Sequence, residues 1–199
     1  PAGEVGPRPA ASLVIPASRR EGPASINTAR LNSHAAAAVS PVADGAGTIS
    51  SSRIRAALRD GDCGEAARLL TRPFAIEGAV EHGAKLGRTI GYPTANVALG
   101  AYLRPRYGIY AVRGRLPDGR VVEGAANLGI RPTFDPPIEL LEAFFFDFAG
   151  DLYGQTIAVE FVAYLRPEAK FDGLDALVAQ MDKDCAAARA ILAAPAPLA

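Results

Sequence analysis

Gly108-Ile109-Tyr110-Ala111-Val112-Arg113-Gly114-Arg115-Leu116, then Pro117-Asp118-Gly119, then Arg120-Val121-Val122, reads as a β-hairpin. Pro117 presets φ for the turn, and Gly119 supplies a left-handed position. The pattern continues downstream, where Glu139 to Phe148 is the most apolar strand and Ala149-Gly150-Asp151 turns it into a strand from Gln155 to Leu165. Upstream, Phe74 to Glu81 alternates imperfectly. Strands joined by such short turns predict an antiparallel sheet or barrel. Helix is expected at the flanks. Leu174, Leu177, Val178, Met181, Cys185, Ala188 and Ile191 recur at helical spacing through Gly173–Leu192, a stripe read as core packing against the sheet. Ser50-Ser51-Ser52-Arg53-Ile54-Arg55 opens a helix with Ser51 or Ser52 as N-cap, and Gly61 and Gly64 separate two short helices.

The whole chain has 199 residues, with 21 Lys+Arg against 21 Asp+Glu. That balance lacks the basic excess of a nucleic-acid-binding domain. No apolar run approaches the ~18 residues of a membrane span. Cys63 and Cys185 are far apart and lack metal-ligand spacing, which predicts two reduced thiols in a cytoplasmic protein. His34 and His82 cannot furnish a multi-histidine metal site. Residues 1–47 are rich in Ala, Pro, Ser and Gly, and are expected to be a poorly ordered N-terminal segment. A short helical linker is expected at 48–72, a barrel with its helix at 73–192 and a tail at 193–199.

Before the hairpin lies Gly87-Arg88-Thr89-Ile90-Gly91-Tyr92-Pro93-Thr94-Ala95-Asn96, preceded by Gly83 and Lys85. Gly83, Gly87 and Gly91 permit positive φ and let backbone approach a ligand. Lys85 and Arg88 add positive charge. Thr94 and Asn96 are two apart, so on a strand their oxygens share a face. Neutral oxygens beside a basic, glycine-rich loop suit a nucleotide phosphate and its Mg²⁺, which takes few protein oxygens. Neither G-x-x-x-x-G-K-[ST] nor G-x-G-x-x-G occurs.

Glu142 falls two, four and six residues before Phe144, Phe146 and Phe148, on what would be one strand face. Two readings of it stay open at this level. A carboxylate on an apolar face is costly unless paired or functional, and partial desolvation would make it a better base. Equally, it could stand at a strand start with its head in water. Glu139 is its competitor.

The Gly87–Asn96 run resembles the riboflavin kinase (flavokinase) family, in particular the kinase module of bacterial bifunctional riboflavin kinase/FMN adenylyltransferases. The resemblance extends to Asn127-Leu128-Gly129-Ile130-Arg131-Pro132-Thr133-Phe134, similar to the family's second turn. It continues through Leu141-Glu142, Phe146-Asp147-Phe148 and Gly150–Gly154, then Phe161–Arg166 and Lys170-Phe171, covering about residues 48–192. It implies a mainly β fold: a six-stranded antiparallel Greek-key barrel with a C-terminal helix and two short N-terminal helices. It implies phosphoryl transfer from ATP to riboflavin, giving FMN and ADP, with Mg²⁺ accompanying ATP and with riboflavin and ATP as small-molecule substrates. Glu142 aligns with the family's catalytic glutamate. Thr94 and Asn96 would bind Mg²⁺ and phosphate. Gly83, Lys85, Gly87 and Arg88 would belong to a flap over ATP, and Arg166 and Phe171 would contact flavin. Phe144 departs from relatives that carry a histidine or other polar residue there, which leaves the roles of neighbouring side chains open. Ile49–Arg55 resembles the end of an adenylyltransferase module, but no His-x-Gly-His motif occurs, so FMN adenylyltransferase activity from this chain alone is not expected. A non-catalytic flavin-binding barrel is the other alternative.

Overall fold

The computed structural model describes residues 40–83, 87, 90–131 and 137–194. Most of the 1–47 segment, Lys85, Arg88, Pro132–Phe134 and most of the 193–199 tail lie outside the described residues. Strands β1 (Ala43–Asp44) and β2 (Gly47–Thr48) form a small hairpin. Helices α1 (Ser51–Asp60) and α2 (Cys63–Leu70) follow. Ser50, rather than Ser51 or Ser52, is the N-cap of α1, because its side chain is the one that accepts from the Arg53 N–H. Gly61 ends α1 with φ 81°, whereas Gly64 lies inside α2 behind an Asp62 N-cap, so only Gly61 separates the helices. Arg53 and Arg68 both bridge Asp44 and Glu65, tying the hairpin to the helix pair.

The main body is a closed barrel of β3 (Ala75–Glu81), β4 (Ala95–Ala98), β5 (Gly108–Arg115), β6 (Val121–Arg131), β7 (Ile138–Phe145) and β8 (Thr156–Arg166). The spatial order is β3-β4-β7-β6-β5-β8, with β8 pairing back onto β3 and every pairing antiparallel. The β5–β7 meander joins β4 through β7 and β8 through β5, which is the Greek-key arrangement expected. The hairpin read from Pro117-Asp118-Gly119 forms as predicted: Gly119 has φ 86° and its N–H donates to Leu116 O at 3.0 Å. Asn127 to Arg131, read as a turn, is instead the last part of strand β6.

Alternation sorts the strands into two faces. Val97, Leu128, Leu141, Tyr110 and Phe161 point inward and are fully buried. Ala111 and Ala125 point outward and are covered by helix α3 (Leu174–Leu192) through Ala188 and Leu192. The buried stripe of α3 is therefore Asp184, Ala188 and Leu192, displaced from the predicted one; Leu174 and Ile191 are exposed. The face sharing proposed for Glu142 also stops short. β7 ends at Phe145, and Asp147 adopts a positive φ of 54°. Phe144 and Phe146 pack together with the outer cluster, while Phe148 turns back onto Phe145 and the barrel interior.

Candidate active site

On the outer face of the barrel, three polar residues line up across three adjacent strands. Asn96 on β4 pairs in register with Glu142 on β7, and Glu142 pairs with Asn127 on β6. Directly opposed residues of an antiparallel pair project to the same side. Their intervening neighbours Val97, Leu141 and Leu128 are locked in the core, so this polar row cannot rotate inward. The N-terminal half of α3 and the segments flanking β4 and β8 wall off the row. They enclose a cavity of about 840 Å³ lined by Gly83, Gly87, Thr94, Asn96, Asn127, Glu142, Arg166 and Phe171, among others.

Glu142 forms a salt bridge with Arg131 on β6, and only 18% of its side chain is exposed. It lies mid-strand and half-buried, not at a strand start with its head in water. Its competitor Glu139 is engaged elsewhere. Arg104 donates to it at 2.8 Å and the Tyr107 hydroxyl also binds it. Those partners, Arg104 first, hold the Glu139 carboxyl below its usual range. Glu139 does not line the cavity.

Asn96 is 5% exposed, and its Oδ1 has no hydrogen-bond partner among the described residues. Buried polar atoms are normally satisfied, so an orphaned oxygen in a residue that lines the cavity points to a ligand position. Thr94 lines the same cavity two residues earlier. Gly83 holds this station closed from behind: a Cβ there would lie 2.8 Å from Asn96 Cγ. Gly91 is the loop glycine that uses a left-handed backbone, with φ 86°. Gly87 serves close packing instead, its carbonyl accepting from Tyr92 N at 2.7 Å. Tyr92 then donates its hydroxyl to Asp182 on α3, and that acceptor, with some burial, pushes the phenol up to about 12. Its ring packs edge-on against Phe144 at 5.0 Å, so Phe144 acts as an apolar wall of the cavity.

Leu174, Leu177, Met181 and Cys185 also line the cavity, so part of the α3 stripe read as core packing is a wall of the cavity. Arg166 lies in the cavity wall but is committed to the buried Asp184. Its Nε donates to Oδ1 at 2.9 Å and its Nη2 to Oδ2 at 2.5 Å. The Phe171 ring lies 5.8 Å from the Arg166 guanidinium. The sequence reading passed over Asn127, Arg131, Tyr92 and Asp184 as site residues. A signal existed for the first two: a polar and a charged residue on one side of an otherwise apolar strand end. The bond between Tyr92 and Asp182 spans 90 residues of sequence and left no local trace. No group of three or more His, Cys, Asp or Glu positioned for a metal occurs among the described residues. No described helix is long and apolar enough to cross a membrane.

Comparison with known proteins identifies the family. Residues 70–192 match the model of the flavokinase (riboflavin kinase) family. A Haemophilus influenzae bifunctional riboflavin kinase/FMN adenylyltransferase is 47% identical over 142 residues, 71% of this chain and 46% of that protein. The Bacillus subtilis protein of the same name is 45% identical over 140 residues, 68% of this chain and 44% of its own length. The chain thus spans about half the length of the curated relatives it matches. A Streptococcus pneumoniae structure described as a macrolide-efflux protein superposes with a TM-score of 0.68 at 41% identity, covering 73% of this chain and 48% of that one.

Proposed function

Since this chain belongs to the riboflavin kinase family, we propose that it transfers the γ-phosphoryl group of ATP to the 5′-hydroxyl of riboflavin, giving FMN and ADP. The observation that carries the reading is the polar row itself: a half-buried carboxylate, Glu142, flanked one strand away by a buried amide oxygen on Asn96 that has no partner among the described residues. In this reading residues 73–192 are the kinase unit and residues 48–72 a linker, and the protein works in the cytoplasm.

An alcohol attacks phosphorus only once its proton has somewhere to go. Glu142 takes that proton as the new O–P bond forms and the bond to the ADP oxygen breaks. A carboxylate has about four acceptor sites, so Arg131 can hold and orient Glu142 while a free lone pair meets the hydroxyl. Thr94 and Asn96 fit the Mg²⁺ that accompanies ATP, since both offer neutral oxygens and Asn96 Oδ1 lacks a partner among the described residues. When bound, the ion supplies charge neutralisation on the phosphate oxygens. Gly83 and Gly87, with Lys85 and Arg88 beyond the described residues, would cover the phosphates. Phe171 and the apolar α3 wall would take the flavin ring, with Arg166 beside it.

The test is chromatography of products from riboflavin with Mg-ATP, beside an FMN plus ATP reaction. FMN from riboflavin supports the proposal. Folded protein that binds riboflavin without forming FMN would refute it and favour a non-catalytic flavin-binding barrel. FAD from FMN would reveal the second activity named for the relatives.

A further inference from the structure

We propose that Asn127 recognises the alcohol substrate: its buried Oδ1 accepts a hydrogen bond from a secondary hydroxyl of the polyol chain that ends in the reacting hydroxyl. The inference rests on the riboflavin kinase reading and deepens it. Asn127 and Asn96 are the two flanks of Glu142, on β6 and β4 respectively. Strands lie ~4.8 Å apart, so the two flanks are separated by roughly 10 Å. The outer face of a barrel is convex, which splays side chains further. An Mg²⁺ with ligands at ~2.1 Å, held at Thr94 and Asn96, is out of reach of Asn127. The phosphate station and Asn127 therefore face opposite ends of the reaction.

The orientation of the Asn127 amide is settled by its neighbour. Its Nδ2 donates to Glu168 Oε1 at 3.2 Å, and a carboxylate oxygen accepts only from the amide's N–H end. Glu168 reaches Asn127 by lying over Gly129, where a Cβ would stand 2.6 Å from its Cδ. The end of the amide left over is Oδ1, buried, without a partner among the described residues, in a residue that lines the cavity. Such an acceptor asks for a hydroxyl or N–H brought by the ligand. With the terminal hydroxyl at Glu142, a secondary hydroxyl a carbon or two along the chain falls on the β6 side, toward Asn127. Leu174, Leu177 and Met181 on α3 offer nothing for a hydroxyl, while Arg166 is engaged by Asp184 and Arg131 by Glu142.

The experiment uses the full chain and compares riboflavin with its 2′-, 3′- and 4′-deoxyribityl analogues. It reads kcat/KM and, without ATP, fluorescence titration of binding. Asn127→Ala is expected to lower kcat/KM and affinity for riboflavin about 10- to 100-fold, leaving KM for ATP unchanged. Wild type should lose a similar factor for one analogue, which the variant then handles as it does riboflavin. Asn127→Leu, closer in volume, serves if the alanine variant does not fold. An equal loss for every analogue, or wild-type indifference to all three, would overturn the inference. Analogue discrimination that depends on Asn127 in binding, with no FMN formed, would keep it while removing the kinase activity. No riboflavin binding by the wild type would overturn both.

Discussion

Gly83→Ala adds one methyl group against the Asn96 amide, and through that contact it should disable the phosphate station. The new Cβ would stand 2.8 Å from Asn96 Cγ. Carbon atoms rest at ~3.5–4.0 Å, so the amide must retreat by about 1 Å. Asn96 cannot give way through its backbone, because Ala95 and Val97 on either side are buried in the barrel interior. The side chain itself must rotate, and its Oδ1 leaves the line it shares with Glu142. A displacement of ~1 Å in a positioning group costs about 100-fold in rate, equivalent to ~2.7 kcal/mol of transition-state stabilisation. Steady-state kinetics should show that loss in kcat/KM for Mg-ATP, while riboflavin affinity and the melting temperature stay near wild type. The decisive comparison is a double-mutant cycle. In an Asn96→Ala background the added methyl meets nothing at this point, so Gly83→Ala should have little further effect. Additive losses would mean that Gly83 acts through something other than Asn96. Full activity of the single variant would refute the reasoning outright.

Glu142→Gln should lower turnover by roughly 10²–10⁴ with little change in riboflavin affinity; near-normal turnover would remove Glu142 as the proton acceptor. Asp184→Asn loses charge-assisted bonds to Arg166 at a buried position and should cost about 2 kcal/mol, read as a drop of ~4–8 °C in melting temperature; an unchanged melt would show that the pair adds nothing to α3 docking. Acid should destabilise the fold through Glu139 and Asp44, whose carboxyls the guanidiniums of Arg104 and of Arg53 and Arg68 hold below their ordinary values of 4.5 and 3.8. Groups lowered in this way stabilise the fold above the ordinary value and lose that contribution as pH falls through it, so denaturant midpoints should begin to fall below about pH 4.5 and fall less steeply in Glu139→Gln; midpoints that hold steady from pH 5 to pH 3 would contradict this.

Much of the barrel was readable because its cause is local. Pro117-Asp118-Gly119 dictates a turn whatever surrounds it, and period-2 alternation assigns residues such as Leu141 and Leu128 to the interior. Where the sequence misled, the deciding cause was distant. Asn127–Arg131 looks like a turn beside Pro132, yet pairing with Ile138–Glu142 across the sheet holds it as strand. Phe148 seems to continue the Glu142 face by count, but the positive φ at Asp147 breaks the count two residues after the strand ends. The α3 stripe has the right period and a shifted phase: of the predicted residues, Ala188 is buried and Cys185 packs beside it, while Leu174 and Ile191 are exposed. Asp184 is buried on the strength of its pairing with Arg166, which shifts the helix face toward 184, 188 and 192 and leaves Leu177 and Met181 to the cavity. No hydropathy rule predicts a helix phase anchored by a carboxylate.

The site residues show the same division between what a motif names and what the sheet assembles. Thr94, Asn96 and Glu142 could each be singled out in one dimension, but their relation could not. Nothing in the sequence says that Asn96 sits opposite Glu142, or that Asn127 sits on the other side. That fact belongs to the register of β4, β7 and β6. Register in turn is fixed by burial: a slip of one residue would drive Glu142 into the core and push Leu141 out. The apolar face that carries no chemistry therefore aligns the polar face that does. In-line phosphoryl transfer needs the attacking oxygen, the phosphorus and the leaving oxygen aligned, and in the proposed reading three strands spaced by backbone hydrogen bonds hold the groups that position them at fixed intervals. This predicts that core substitutions which preserve the fold but loosen β4–β7 pairing, such as Val97→Ala, will reduce turnover by more than their effect on stability accounts for. A turnover loss that simply tracks the folded fraction would show that the row does not depend on the core behind it.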